Sequence, residues 1–137
     1  MNFKEELKSL NIQFTQQRSL ILEALKTSET PLTIDALMSV LDHKVDLSTL
    51  YRTLELFEIK HLVIKTELKE PLQNIYEYNR HTHKHHLICT NCKKIQVIKD
   101  CPLHEYEQSI VMQTGYIIQD HQLNLYGLCP ECQARES

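Results

Sequence analysis

Glycine is almost missing from this 137-residue chain, where only Gly115 and Gly127 occur. A phosphate-cradling loop needs several glycines close together so that the backbone can approach the ligand, and loops of that kind are therefore excluded. No apolar run approaches the roughly 20 residues that span a bilayer. The opening "MNFKEELKSL" also lacks the basic-then-apolar pattern of a secretory leader. Internal repeats and low-complexity linkers are absent. There is no H-E-x-x-H motif, since "HEYEQ" has no second histidine, and no nucleophile-base pair stands out. The expectation is a cytoplasmic protein that is not an enzyme and does not engage a membrane. A zinc hydrolase built on three histidines and an open water position is the minor alternative.

What is present belongs to a folded chain. The composition, 42% hydrophobic and 24% charged, argues against disorder, and the length fits one domain or two very small ones. Five cysteines are an odd number, and without an export signal they are expected as thiols.

Residues 1 to 60 read as helices. A short helix is expected over Phe3 to Leu10. In "FTQQRSLILEALKT" Thr15 caps a helix whose stripe is Leu20, Ile21, Ala24 and Leu25. Thr33 caps the next, with Ile34, Leu37, Met38 and Leu41 on one face. In "DLSTLYRTLELFEIKHLV", Leu47, Leu50, Leu54 and Phe57 form the apolar stripe and leave Ser48, Thr49, Tyr51, Arg52 and Glu55 pointing elsewhere. After residue 60 the period changes. "LVIKTEL" and "NIYEYNR" read as a hairpin around "KEPLQ", and "HHLIC" and "KIQVIK" as a second strand pair. "PLHEYEQSIVMQT" reads as a helix stopped by Gly115, and "YIIQDHQLNLYGLC" as a final, bent strand. The break between the two halves falls near residue 80.

Two C-x-x-C pairs, Cys89/Cys92 and Cys129/Cys132, carry the clearest chemistry. Each tight turn presents two sulfurs to one ion, and two turns complete a tetrahedron. Four thiolates suit zinc and leave no open position, which marks a structural site. Two redox dithiols or two disulfides are the alternatives. Cys101 is left over and is expected as a small buried apolar residue. "HTHKHH" then concentrates histidine. If His81 to His86 is extended, His81, His83 and His85 share one face and Lys84 and His86 the other. His121 has the parity of Leu123 and Leu125 and should face inward. His83, His85, His104 and His121 could close a second tetrahedral site, the alternative being a solvated strand face.

At this point the chain resembles the ferric uptake regulator (Fur) superfamily over nearly its whole length. The resemblance rests on "FTQQR", "LSTLYRTLELF", "HHLICTNCKKI" and "HQLNLYGLCPEC", in that order and at family spacing. "HHLICTNCKKIQVIKDCP" and "HQLNLYGLCPECQ" look most like the zinc uptake regulators (Zur). The resemblance implies an α+β fold, with an N-terminal winged-helix DNA-binding domain over 1–80 and a small α/β dimerisation and metal-binding domain over 81–137. Cys89, Cys92, Cys129 and Cys132 match the family's structural zinc ligands. His83, His85 and His121 match three ligands of the site that joins the dimerisation core to its helix, and His104 stands where a glutamate is common. The hinge sensor site falls on Glu77 and His86. There Pro31, Tyr78, Lys84 and Val97 occupy positions where various family sensors use ligands. Either that site is remodelled, recruiting Glu67 or His81, or regulation has moved to the imidazole site, which is the preferred reading.

"LSTLYRTLELF" resembles the family's recognition helix, so Ser48, Thr49, Tyr51 and Arg52 are expected at DNA, with Arg18 on the phosphate backbone. Without the resemblance these five would read as an ordinary polar surface. Residues 1 to 60 carry seven Lys or Arg against nine Asp or Glu, so the few cations must be focused on one face. The expected function is a homodimeric, metal-responsive repressor of metal-uptake genes at an inverted-repeat operator in double-stranded DNA. It would carry structural zinc and a second regulatory metal: zinc, or else iron or manganese. An iron or peroxide sensor of the same family is the main alternative.

Overall fold

A computed structural model describes residues 3–69, 72–81 and 84–136. It divides into two compact units, Met1–Arg80 and His81–Ser137. Among the described residues no helix is long and apolar enough to cross a membrane.

The first unit is four helices and a hairpin: α1 (Phe3–Ser9), α2 (Gln16–Thr27), α3 (Ile34–Val40), α4 (Leu47–Ile59), β1 (Val63–Lys69) and β2 (Leu72–Tyr78). The Thr15 hydroxyl accepts the Arg18 N–H at 3.1 Å and the Thr33 hydroxyl accepts that of Ala36 at 3.1 Å, so both expected caps are in place. On α2 the buried set is Ile21, Leu22, Ala24 and Leu25, with Leu22 in the role expected of Leu20. On α4 it is Leu50, Thr53, Leu54 and Phe57. Leu47, expected in that stripe, is half exposed because it is the helix's first residue and precedes the buried turn.

With so little glycine, two left-handed positions after helices fall to Asn11 and His61, at φ 59° and 60°. Beyond each, the next amide reaches back to the last turn: Ile12 to Leu7 at 2.9 Å and Leu62 to Phe57 at 2.8 Å. β1 and β2 pair antiparallel from Val63↔Tyr78 to Lys69↔Leu72, and Leu32 bridges Tyr76 as a third short edge. The tip, Glu70 and Pro71, lies outside the described residues. The core gathers Leu7, Ile21, Leu25, Leu37, Leu50 and Phe57, all at most 1% exposed, with Tyr76 closing it from the hairpin.

One polar cluster fastens α1, α2 and β2 together. Lys26 Nζ donates to Glu6 Oε1 at 2.6 Å, and the Tyr78 hydroxyl donates to the other carboxylate oxygen. The same ammonium lies 4.9 Å from the Tyr78 ring, and the Arg80 guanidinium 5.3 Å from it. Burial alone would raise the Glu6 carboxyl, but the Lys26 and Tyr78 hydrogen bonds outweigh it and hold the pKa below the usual 4.5. Burial and the Glu6 carboxylate together push the Tyr78 phenol up to about 12.

The second unit is β3 (His85–Cys89), β4 (Ile95–Ile98), α5 (His104–Thr114), β5 (Asn124–Gly127) and α6 (Pro130–Glu136). The sheet order is β4-β3-β5. β4 is antiparallel to β3, whereas β5 is parallel to it, from His86↔Asn124 to Cys89↔Gly127. A parallel pair cannot be joined by a tight turn, so the chain crosses over through α5. Gly115 ends α5 as expected, at φ 75° with its amide on the Val111 carbonyl at 2.8 Å.

Three expectations for this unit need correction. The final strand spans only Asn124–Gly127, because its partner β3 is itself five residues long. A helix, α6, follows at once, with Pro130 at its first position, where a missing N–H costs nothing. The histidine run is not extended throughout: His81 is left-handed at φ 57°, so face alternation cannot be counted back from β3 to His81. His83 lies outside the described residues.

The Glu6 cluster predicts an acid-sensitive first unit. A carboxyl with a depressed folded pKa stabilises the fold above its unfolded value, and that stability is lost as pH falls through the folded value. Glu6→Gln should therefore remove part of the stability loss seen in melts below pH 4.5. Tyr78→Phe should cost about 1.5–3 kcal/mol in denaturant unfolding at neutral pH, the worth of one hydrogen bond to a charged group. Unchanged unfolding midpoints in both variants would show that the cluster contributes nothing.

Candidate functional site

The β3–β4 turn brings Cys89 and Cys92 together, with Lys93 in the left-handed region at φ 68° and its amide on the Cys89 carbonyl at 3.0 Å. The end of β5 and the start of α6 supply Cys129 and Cys132. The Cys89 and Cys132 sulfurs are 3.7 Å apart, and those of Cys92 and Cys129 are 3.8 Å apart. A tetrahedron with metal–sulfur bonds of about 2.3 Å has an edge of about 3.8 Å, which these two pairs match, and all four sulfurs lie within 4.8 Å of one another. They also lie too far apart for S–S bonds of about 2.05 Å, and all are free thiols here.

The Cys129 and Cys92 amides donate to Cys89 Sγ, each at 3.5 Å, and pull its pKa down to about 6. The Asn91 amide, 3.3 Å from Cys132 Sγ, also favours a thiolate. There the neighbouring sulfurs and burial prevail, and the Cys132 thiol rises to about 11.

A second cluster joins three elements of the same unit: His85 from β3, Cys101 from the loop before α5, and His121 from the coil before β5. The two Nε2 atoms are 3.2 Å apart, and Cys101 Sγ is 3.3 Å from His85 and 3.5 Å from His121. The rings are stacked with centroids 4.9 Å apart. The far nitrogen of His121, Nδ1, meets the Glu107 carboxylate on α5. A carboxylate on the outer nitrogen fixes the ring and aims Nε2 inward.

His104, expected here, stands elsewhere. It is exposed at the start of α5, with Nε2 3.3 Å from the Gln108 amide one turn on. Cys101, expected as a passive apolar residue, occupies the cluster instead.

On the first unit, the starts of α2 and α4 enclose a shallow depression of about 370 Å³ lined by Thr15, Gln17, Arg18, Thr49, Arg52 and Thr53. Arg18 and Arg52 thus share one concavity among hydroxyls, a set of donors suited to phosphate oxygens. Tyr51 is half exposed beside it, and a second depression links it to Gln73 and Asn74 on the hairpin. The Ser48 hydroxyl donates to Asp46 at 3.0 Å, and bonds from Thr49 and Ser48 hold that carboxyl below its usual range. Those hydroxyls are therefore engaged with the cap as well as facing outward.

Residues 9–126 match the Ferric uptake regulator family. This chain belongs to that family. It is a metal-responsive transcription regulator and not an enzyme. Among relatives, a ferric uptake regulation protein of Cupriavidus metallidurans is 33% identical, covering 90% of this chain and 89% of its own. A peroxide operon regulator of Bacillus subtilis is 32% identical, covering 97% and 92%. Among solved structures, a ferric uptake regulator from Francisella tularensis with iron is 29% identical, with a TM-score of 0.80 over 89% of this chain and 95% of that one.

Of the hinge candidates, Glu77 sits on β2 in the first unit, opposite Ile64, while His86 is buried on β3 in the second, with Nδ1 3.4 Å from the Asn124 amide oxygen. Glu67 is exposed on β1, and His81 is exposed in its turn. The reading from sequence gave Cys101 and Thr15 other roles, a buried apolar residue and a helix cap, and did not single out Glu107 or Gln17. For Cys101 the available signal was its place three residues ahead of a helix whose first residue is itself a candidate ligand, His104. "FTQQR" held Gln17 in plain view.

The cysteine cage should hold one metal ion tightly, and its binding free energy should also be folding free energy. Cys89→Ser or Cys129→Ser should lose that ion and the near-ultraviolet signature of the second unit together. Metal analysis showing a replete, folded Cys89→Ser protein would sink this assignment.

Proposed function

We propose that this protein is a zinc-responsive repressor that acts in the cytoplasm as a homodimer on double-stranded DNA. The observation that carries the reading is a second ligand cluster, His85, Cys101 and His121, separate from the closed cysteine cage. A tetrahedral four-thiolate cage is saturated and suits a structural zinc. The second cluster has three donors on three elements, so filling it pulls β3, the loop before α5 and the coil before β5 onto one ion. Zinc then regulates by binding the DNA-competent arrangement more tightly than any other, since a ligand shifts an equilibrium only by its differential affinity.

The dimer reading rests on exposed apolar surface. No residue of α5 is buried, and Met112, Tyr116 and Ile117 are 88%, 73% and 86% exposed. A second copy covering this face would complete a unit that has little core of its own. Two-fold symmetry then presents two copies of α4, and the fitting target is an inverted repeat. By this reading the regulated genes serve metal uptake.

Iron or peroxide sensing is the second reading, favoured by the Bacillus subtilis relative's name. Hard, redox-active iron prefers carboxylate with imidazole. The three inward atoms of the second cluster include no carboxylate oxygen, which supports zinc instead.

DNA binding should weaken as salt rises, and Arg52→Ala should cost about 1–3 kcal/mol if Arg52 reads a base edge. Arg18→Ala should weaken all sequences alike, as a phosphate contact does. Titrations on an inverted-repeat duplex, each repeated on scrambled DNA, separate the two roles. Zinc-dependent binding indifferent to both Arg52→Ala and Tyr51→Ala would mean that α4 is not the reading helix.

The metal input is tested separately. His121→Ala should keep the cysteine-bound zinc and the dimer while losing zinc-stimulated operator binding. If that variant responds to zinc normally and Glu77→Ala or His86→Ala does not, the sensor is the hinge set of Glu77, His81 and His86.

A further inference from the structure

We infer that Cys101 is a thiolate ligand of the second metal site, which makes it a two-imidazole, one-sulfur site rather than an all-imidazole one. The inference rests on the proposed metal-responsive reading and specifies which side chains hold the regulatory ion. Three observations converge on it. Around a tetrahedral zinc ion with metal–nitrogen bonds of about 2.05 Å and a metal–sulfur bond of about 2.3 Å, the nitrogen–nitrogen edge is about 3.35 Å and each nitrogen–sulfur edge about 3.55 Å. The corresponding separations are 3.2 Å between the two Nε2 atoms and 3.3 and 3.5 Å from them to Cys101 Sγ. All three atoms therefore stand within about 0.3 Å of one face of the coordination tetrahedron.

The environment is that of a ligand set and not of a chance contact. His85 is 3% exposed at the start of β3, so its ring is held by the sheet. His121 is held from its outer nitrogen by Glu107, which leaves Nε2 for the ion. The thiol is neither packed passively in a hydrophobic core nor within disulfide reach of another cysteine described here, since the other four gather in their own cage. His104, the other nitrogen donor near this loop, is exposed and turned toward Gln108.

Sulfur changes what the site prefers. A thiolate with two imidazoles favours zinc, or cobalt in its place, over manganese and ferrous iron, which bind better to oxygen donors. The fourth corner of the tetrahedron is left to a group outside these three.

Cobalt(II) reports the difference, because a sulfur ligand adds a near-ultraviolet charge-transfer band that imidazole does not. The full-length protein is first loaded with one equivalent of zinc to fill the cysteine cage, then titrated with cobalt(II). The second equivalent should bring a tetrahedral visible spectrum together with a sulfur-to-cobalt band. Cys101→Ala should lose that band and weaken the second site by at least about tenfold, the lower end of what even an outer-shell partner is worth. His104→Ala should leave the band unchanged. Excess manganese(II) should not displace the bound cobalt.

A second-equivalent spectrum without the sulfur band in the wild-type protein overturns the assignment, whatever the variants do. So does a band lost in His104→Ala and kept in Cys101→Ala. Neither result touches the repressor reading, which is tested by zinc-stimulated operator binding. If Cys101→Ala folds poorly by circular dichroism, the wild-type band still decides, and Cys101→Ser supplies a variant of nearly the same volume.

Discussion

Four sulfurs gathered within 4.8 Å of one another, two pairs of them at 3.7 and 3.8 Å, set the terms for the whole second unit. Of the buried apolar residues described in the chain, only Ile88, Cys89 and Cys132 lie beyond residue 80. A unit of some sixty residues with so small a core falls in the range where a metal or a partner surface is needed for stability. The cage answers the first need by cross-linking the β3–β4 turn to the end of β5, across the parallel pair that only a long crossover could bring together. A parallel β3–β5 contact encloses the chain from residue 90 to 123, and closing such a loop costs entropy that one ion can offset. Four thiolates drawn together repel one another, and a bound dication would offset that charge.

The first unit is built the other way. Its core is a continuous apolar cluster from Leu7 to Tyr76, and its polar fastening, Glu6 with Lys26 and Tyr78, is fully partnered. A unit that folds on its own side chains can present a fixed pair of arginines in a concavity whatever the metal level. On the reading proposed here, zinc acts on the second unit, while the DNA-facing concavity belongs to the first. The division of labour follows from where the apolar residues are.

Much of this was legible in the sequence because the signals are local. Thr15 and Thr33 cap helices through bonds to residues three positions on, and a C-x-x-C turn carries its own geometry. Apolar periodicity and cap residues indicated the order of elements in the first unit, and there the structure departs only in detail, at Leu20 and Leu47. What was not legible depends on contacts distant in sequence. The length of β5 is set by β3, some forty residues earlier, and no periodicity in "YIIQDHQLNLYGLC" records it. Counting faces from His81 failed because a single left-handed residue breaks the alternation, and in a chain with two glycines such residues fall at asparagine, aspartate, histidine and lysine. Cys101 is the sharper case. A lone cysteine has the same composition signal whether it is buried apolar matter or a ligand, and only the crossover through α5 brings it to His85 and His121.

The two metal clusters also differ in what they can do for regulation. On the proposed reading, a closed cage of four thiolates drawn from two turns holds its ion or loses the fold, and so does not follow small changes in metal supply. A three-donor cluster joining a strand, a loop and a coil has a weaker grip and more to rearrange. Moving a regulator from one per cent to ninety-nine per cent in its DNA-binding form takes roughly a 10⁴-fold difference in affinity between the two forms. Donors that stand within about 0.3 Å of their bound positions in one arrangement supply such a difference only if the other arrangement parts them. His85 is five residues beyond the boundary at Arg80, while Cys101 and His121 flank α5. Any shift of β3 against α5 therefore separates the imidazole of one from the sulfur and imidazole of the other two. On the proposed zinc-responsive reading, the arrangement that binds zinc is the one in which those elements keep their present register.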